Sequence, residues 1–507
     1  MLTRLLCLTS VALASVACAA STTQAHPLES EIVYQIFPRS YRDSNGDRNG
    51  DFNGIIKKLP YLKRMGITSI LINPIFKARE YHNYFADNFF NVDPAFGSNS
   101  DFFRFIQTAH SLRLKVILDM EIQYVADKHP WLAATLKDPQ SSLARNLWTK
   151  GSAFYDLNLN WWGGAKIKVA AINPDSPAVL EWAKSIFRFW AAPNGHPQHG
   201  VDGFRIDHMM DDLDNLHVKT RMLSKFWLPI EQEIRGIKPT VFFLAEQSDW
   251  GTGSDHFKKA NVDAVYGFPL YFAIKSLQKE KITRVIETSV KVWEPRTTQF
   301  NFIENHDVSR FASIVKNDSR LLRLGAVLNL TLKGTPLIYY GQELGMKGVQ
   351  GKWNSDANDI PVRLAYRWNR KINAPGTANF YRGTGPWDNR EFESDNDGIS
   401  VEEEDNRPDS LLNFYRRLIK LRQRSPALAI GTEEVVPTTN SSILIIKRAW
   451  GKFQTLIIVN LSAQSQTVSI PTRHFTRNLM TGHALKTKML RLSSYGFKLL
   501  GVTTPDR

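Results

Sequence analysis

Gly203-Phe204-Arg205-Ile206-Asp207 is the stretch on which the fold turns. In an extended chain alternate residues share a face, so Arg205 and Asp207 project together. Working outward from it, short β-rich apolar runs recur on both sides, separated by longer amphipathic stretches. The runs are 32–37, 69–73, 116–122, 203–207, 241–246, 264–268, 300–305 and 336–340. Residues 102–112 and 179–190 carry apolar positions every three to four residues, which predicts intervening helices. Eight strands alternating with helices predict an α/β fold, a (β/α)8 barrel.

One interval breaks the alternation. Residues 124–172 are polar and rich in Trp and Gly, including Trp161-Trp162-Gly163-Gly164. They read as a small domain inserted after the third strand. After the helix predicted at 410–423, the runs 441–449, 454–461 and 466–470 alternate like antiparallel strands, giving a C-terminal β domain. The expected organisation is a barrel over 29–123 and 173–428, an inserted domain over 124–172 and a β domain over 429–507.

Residues 1–25 read as a signal peptide: Arg4, then an apolar run from Leu5 to Ala17, then small residues. The apolar run is too short to span a bilayer as a resident helix, and no transmembrane segment is expected. Ala14-Ser15-Val16-Ala17-Cys18 resembles a lipobox, which would leave Cys18 as a lipid anchor; cleavage at a later alanine is the alternative. Either way the chain is expected to be exported, as a periplasmic, secreted or membrane-anchored protein. Cys7 and Cys18 are its two cysteines, so the mature chain has no internal disulfide. The net charge of +15 is spread along the chain without a basic run interleaved with aromatics, so nucleic acid is not an expected partner.

Barrel active sites lie at the C-terminal strand ends. The polar residues there are Asp119, Arg205 with Asp207, Glu246, and Asn305-His306-Asp307. Retaining cleavage of a glycosidic bond needs one carboxylate nucleophile and one carboxylic acid as proton donor, about 5–5.5 Å apart. A guanidinium beside Asp207 favours its ionised form. The apolar run before Glu246 should raise its pKa, as a general acid requires.

Gly203–Asp207, Ala245-Glu246 and Asn305-His306-Asp307 together resemble the central motifs of the α-amylase family, glycoside hydrolase family 13. The similarity extends through 50–55, 92–97, 334–341 and 410–415. It implies Asp207 as nucleophile, Glu246 as acid/base and Asp307 as the residue that grips and distorts the sugar. It also implies that Arg205, His306, His82 and Tyr84 line the scissile-sugar subsite, with Tyr84 as a stacking platform.

Three departures from the family pattern stand out. Gln123-Tyr124 replaces the Asn-His pair of the third-strand motif, and Tyr124 is expected to offer a phenol to the sugar. Met210-Asp211 stands where many amylases have Lys-His. Ala171 falls in the inserted domain's short motif. Gln123, Ala171 and Asp211 thus occupy ligand positions of the usual structural calcium site, which is expected to be empty. A different Ca2+ site is expected in Asp43-Ser44-Asn45-Gly46-Asp47-Arg48-Asn49-Gly50-Asp51. There Asp43, Asn45, Asp47, Asn49 and Asp51 put oxygens at alternate positions, as in half an EF-hand loop. Polar capping of a turn is the competing reading.

The function expected is retaining hydrolysis of α-1,4-glucosidic bonds in starch-type glucans or maltooligosaccharides. Alternatives are a transglycosylase, a cyclodextrin- or pullulan-cleaving enzyme, or an inactive sugar-binding or transporter-associated relative. The last would have lost a catalytic carboxylate, and all three are present. Oligomeric state is not legible in the sequence.

Overall fold

The computed structural model describes residues 27–502 apart from 151, 152, 155, 161–163, 165, 214–220, 294, 295, 389, 471–474 and 486. The expected signal peptide, Cys7, Cys18 and Trp161-Trp162-Gly163 therefore lie outside the described residues. Eight parallel strands close into a barrel: β1 (Val33–Ile36), β2 (Ser69–Ile72), β3 (Lys115–Met120), β4 (Gly203–Met209), β5 (Phe242–Gln247), β6 (Ala264–Tyr266), β7 (Thr298–Asn301) and β8 (Thr335–Tyr339). Each pairs with its sequence neighbour, and β8 closes on β1 through Val33 opposite Leu337.

The alternation in β4 is realised as read. Arg205 is fully buried inside the barrel, and Phe204 packs outward on Phe187 at 4.8 Å between ring centroids. Gly203 must lack a side chain, because a Cβ there would meet the Phe242 ring at 2.6 Å. That ring and Val33, Leu71, Ile117, Leu244, Phe300 and Leu337 form the apolar floor beneath the polar mouth.

Most expected strand limits are met within about two residues. The largest difference is at the seventh, expected over 300–305 but ending at Asn301. Phe302–Asn305 leave the ladder, so Asn305, His306 and Asp307 ride on a turn in which Asn305 Oδ1 accepts the Asp307 N–H at 2.9 Å. Apolar composition alone does not mark where a strand stops pairing.

Between β3 and the helix Pro177–Ala191 lies a three-stranded antiparallel sheet, in the order Tyr124–Ala126, Lys166–Ala171, Asp156–Asn160. After the helix Leu411–Arg424, whose N-terminus Ser410 caps through the Asn413 N–H, comes a five-stranded antiparallel sheet. Its strands run in the order Thr432–Val436, Ile443–Trp450, Phe453–Asn460, Phe497–Val502, Phe475–Asn478. Two buried arginines lie at this junction, Arg448 on the sheet and Arg422 at the end of the preceding helix. Arg448 donates to the Thr331 and Gly431 carbonyls at 2.7 and 3.0 Å. Arg422 donates to the Gly334 and Glu29 carbonyls at 2.6 and 2.8 Å. Buried carbonyls need donors, and one guanidinium can serve several. Among the described residues no helix is long and apolar enough to cross a membrane.

Candidate active site

The centre of the barrel mouth is the Arg205 guanidinium. Register sets its partners: Arg205 lies opposite Asp119 on β3 and Leu244 on β5, which puts Glu246, two residues further along, on the same inner face. Nη1 contacts both Asp119 oxygens at 2.6 and 2.8 Å and Asp207 Oδ1 at 2.7 Å. Nη2 bonds Glu246 Oε2. One planar cation thereby fixes three carboxyl groups relative to one another.

These carboxyls differ in surroundings. Asp119 is wholly buried and also accepts from Tyr84 Oη at 2.8 Å and Asn73 Nδ2 at 2.9 Å. Asp207 keeps a fifth of its side chain exposed to the cavity. Burial pushes the Glu246 carboxyl well above its usual range, and the nearby Asp207 and Asp307 charges push it the same way. Both protein contacts of Glu246, with Arg205 and with the His208 N–H at 3.2 Å, fall on Oε2. Oε1 is left as the oxygen that can present a proton to the cavity.

A second chain of bonds orients the opposite wall. Gln35 Nε2 lies 2.8 Å from His306 Nδ1, and His306 Nε2 lies 2.6 Å from Tyr84 Oη. An amide N–H can only donate, so Nδ1 accepts and Nε2 carries the hydrogen. Burial, with Arg205 and Arg363 nearby, holds His306 well below the usual imidazole range and hence neutral. The proton order is then His306 to Tyr84 to Asp119. The Tyr84 and His306 rings stack 5.8 Å apart at 5°. Asp307 is held at Oδ2 by His306 Nε2 at 3.1 Å and at Oδ1 by Arg363 Nη2 at 3.0 Å.

These groups line a cavity of about 370 Å3 that includes His82, Tyr84, Asp207, Glu246 and Asp307. Asp207, Glu246 and Asp307, from three separate strand ends, meet at one opening. Arg205 and His306 lie just beneath it. Tyr124 corrects the expectation made for it: it is buried behind Phe85, edge to face at 6.0 Å, and Phe85 takes the place on the wall.

The cavity also holds residues that strand-end reasoning misses: His208, Ser248, Trp250, Asp356, Asp359 and Arg363. The last three come from the 3-10 turn Asp356–Val362 and its end, far along the segment after β8. His208 has a left-handed backbone, φ 46°, directly after Asp207. Such a conformation in a non-glycine residue persists only where its surroundings enforce it. Gln123 is one enforcing group, since its Nε2 donates to the His208 carbonyl at 2.9 Å and lies 3.4 Å from the Asp207 carbonyl. The Gln123 N–H in turn bonds Glu121 Oε1 at 2.6 Å.

Two of the positions named for the family's usual calcium site make other side-chain bonds here, and the third offers none. Gln123 turns a donor inward, Ala171 has no side-chain oxygen, and Asp211 pairs with Lys259 at 3.0 Å and accepts the Leu223 N–H. In the 43–51 loop, Asp43 accepts from the N–H groups of Asn45, Gly46 and Arg48, and Asp51 from Ser44 and Gly54. Asp47 Oδ1 accepts the Asn49 N–H, and the Asn49 side chain bonds Arg39. Among the described residues no three His, Cys, Asp or Glu side chains converge as a metal cage.

A family model described as the α-amylase catalytic domain matches residues 35–431. The chain belongs to the α-amylase family. Alpha-amylase 3 of Dictyoglomus thermophilum is 29% identical over 459 residues, covering 86% of this chain and 85% of that protein. A 4-alpha-glucanotransferase of Thermotoga maritima is 29% identical over 420 residues, covering 78% and 87%. A solved α-amylase structure from H. orenii superposes with a TM-score of 0.76 at 25% identity, covering 94% of this chain and all of that one. The chain is accordingly an enzyme of the α-amylase type, a glycoside hydrolase or transglycosylase acting on α-glucans.

The Gln123 tether makes a prediction. Gln123→Leu should lower kcat on an α-glucan about tenfold with little change in KM, because the His208 carbonyl and the turn behind Asp207 lose their donor. Steady-state kinetics check it, and a kcat within twofold of the wild type would show that the tether does not position the site.

Proposed function

We propose that this enzyme hydrolyses α-1,4-glucosidic bonds of starch-type glucans or maltooligosaccharides by double displacement. Asp207 acts as nucleophile, Glu246 as acid/base and Asp307 as the clamp on the scissile sugar. The observation that carries the reading is one guanidinium holding Asp207 and Glu246 on adjacent nitrogens. This makes the two carboxyls close neighbours, as retention requires, rather than leaving the wider gap an inverting enzyme needs for water.

The first step follows from the surroundings. Glu246, kept protonated by burial, gives its proton to the leaving oxygen while Asp207 attacks the anomeric carbon, forming a glycosyl-enzyme ester and a free hydroxyl on the departing chain. The deprotonated Glu246 then takes a proton from water, whose oxygen displaces Asp207. Loss of the proton leaves a charge on Glu246 that Arg205 already faces. A sugar hydroxyl replacing water at this stage would give transfer, the reaction for which the Thermotoga relative is named. Hydrolysis is the primary reading because the cavity opens to solvent beside Asp207.

Asp207→Asn, Glu246→Gln and Asp307→Asn should each lower turnover of maltoheptaose by about a thousandfold or more, with the unfolding temperature little changed. The first product released by the wild type, followed by NMR, should be the α-anomer. Turnover near wild type in any one variant removes that residue from the mechanism, and a β-anomer contradicts double displacement.

We also propose that the 43–51 loop binds one structural Ca2+. Support comes from its donor set: Asp43, Asp47 and Asp51 carboxylates, the Asn45 amide and the Asn49 carbonyl, all hard oxygens on one turn. Asp43 Oδ2, Asp47 Oδ1 and Asp51 Oδ2 each accept one N–H and keep a lone pair for a cation. Binding would have to draw the three carboxylates together round the ion, which would then balance their charges, and the loop supplies no catalytic group. Calorimetry should show an unfolding temperature that rises with calcium in the wild type and not in Asp47→Ala. An absent rise, or one that survives in Asp47→Ala, would leave the loop as a capped turn.

A further inference from the structure

Two neighbouring helices on the outside of the barrel carry cations and no carboxylate. The helix Phe52–Met65 presents Lys57, Lys58, Lys63 and Arg64. The helix Leu411–Arg424 presents Arg416, Arg417, Lys420 and Arg424. The two pack together: Gln423 Nε2 donates to the Gly66 carbonyl at 2.8 Å, and the Arg416 guanidinium lies 5.8 Å from the Tyr61 ring centroid. Lys57 and Arg64 share one helical face, as do Arg417, Lys420 and Arg424, and all five are exposed. Among the described residues, Arg416 alone of this set has a carboxylate partner, Asp405 at 2.6 Å.

Helix stability does not ask for this distribution. Cations in a last turn, such as Lys63, Arg64 and Arg424, complement the helix dipole. Lys57, Lys58, Arg416, Arg417 and Lys420 stand before the last turn, where the dipole offers little and like charges repel. Lys58 shows the crowding. Its Nζ lies 4.0 Å over the Trp368 ring, and burial, with Arg42 and Arg64 nearby, holds its ammonium below the usual lysine range. Anions from outside the protein would relieve such repulsion.

The same face lies where the chain enters the fold. Arg422 donates to the Glu29 carbonyl at 2.8 Å, so the sequence before Pro27 joins the barrel beside the Arg424 end of the stripe. That sequence contains the apolar run Leu5 to Ala17 and Cys18. From Cys18 to Pro27 a fully extended chain reaches about 30 Å, a short tether.

We propose that this basic face docks on the anionic headgroups of a phospholipid membrane. Lipid phosphates supply the charge that the two helices lack, across a plane that meets both at once. A lipid on Cys18 would hold the enzyme near the bilayer, and the basic face decides which side meets it. Neither helix lines the catalytic cavity, so the barrel mouth stays open to substrate. Single-stranded nucleic acid fits less well, since among the described residues no largely exposed aromatic ring stands beside these cations for bases to stack on.

The test uses the full chain as its host exports it, with Cys18→Ser to remove acylation at that position. Every variant keeps the same N-terminus, so differences among them report the face. Cosedimentation with vesicles of phosphatidylglycerol and phosphatidylcholine is compared with phosphatidylcholine alone. Affinity for the anionic vesicles should be at least about tenfold higher at low salt, and high salt should remove the difference. Lys57→Glu, Arg64→Glu, Arg417→Glu and Lys420→Glu together should erase the preference and leave kcat on maltoheptaose unchanged. If that variant does not fold, Lys57→Gln with Lys420→Gln should still lower the preference about threefold. Lys128→Glu, Lys281→Glu, Lys452→Glu and Lys488→Glu, at exposed sites elsewhere with the same total change in charge, should retain it. Equal binding to both kinds of vesicle, or an equal loss in this last variant, would overturn the docking face. So would retention on immobilised DNA without vesicle binding, since the patch would then serve another polyanion.

Discussion

Everything at the mouth of this barrel depends on the burial of one charge. Arg205 has no access to solvent, and an unpaired cation there would cost several kcal/mol, on the order estimated for buried ions. Its compensation comes from three strands at once: Asp119 on β3, Asp207 on β4 and Glu246 on β5. Three carboxylates would overcompensate one guanidinium. Protonation of Glu246, driven by burial and by Asp207 and Asp307 against the pull of Arg205, reduces the excess and produces a general acid in the same stroke. Register, charge balance and catalytic roles are therefore one constraint.

The second wall obeys a related logic with neutral groups. Gln35 fixes the hydrogen of His306 on Nε2, His306 meets Tyr84, and Tyr84 donates to Asp119. The chain ends on the same carboxylate that pairs with Arg205, so the two walls cannot shift independently. Asp307 joins them from a turn, held between His306 and Arg363. A clamp on a turn, with more exposure than the other two acids, is free to follow a sugar ring as it distorts.

The inner residues of this arrangement were legible because strand periodicity encodes them. Arg205 and Asp207 are two apart, and Glu246 ends an apolar run, so pattern and position agree. Arg363, Asp356 and Asp359 were not legible. They arrive from a turn near the end of a long irregular segment, and no local period says that it folds back over the cavity. His208 and Trp250 were hidden for another reason, since their places depend on left-handed backbone that only tertiary bonds from Gln123 and Gln247 make tolerable. Tyr124 holds the family position without lining the cavity, because Phe85 packs against it and occupies the wall. The departures at Gln123 and Asp211 did point to something local: both side chains are engaged in bonds within the protein.

A forked cation, and not merely a positive charge, organises the catalytic acids. Lysine in place of Arg205 keeps the charge but cannot bridge β3, β4 and β5 with paired, planar donors. The most direct test is the kcat of Arg205→Lys on maltoheptaose, measured on protein whose calorimetric unfolding shows it to be folded. A loss of at least about a hundredfold is expected, of the size seen when a preorganised donor is removed. Turnover close to that of the wild type would contradict it.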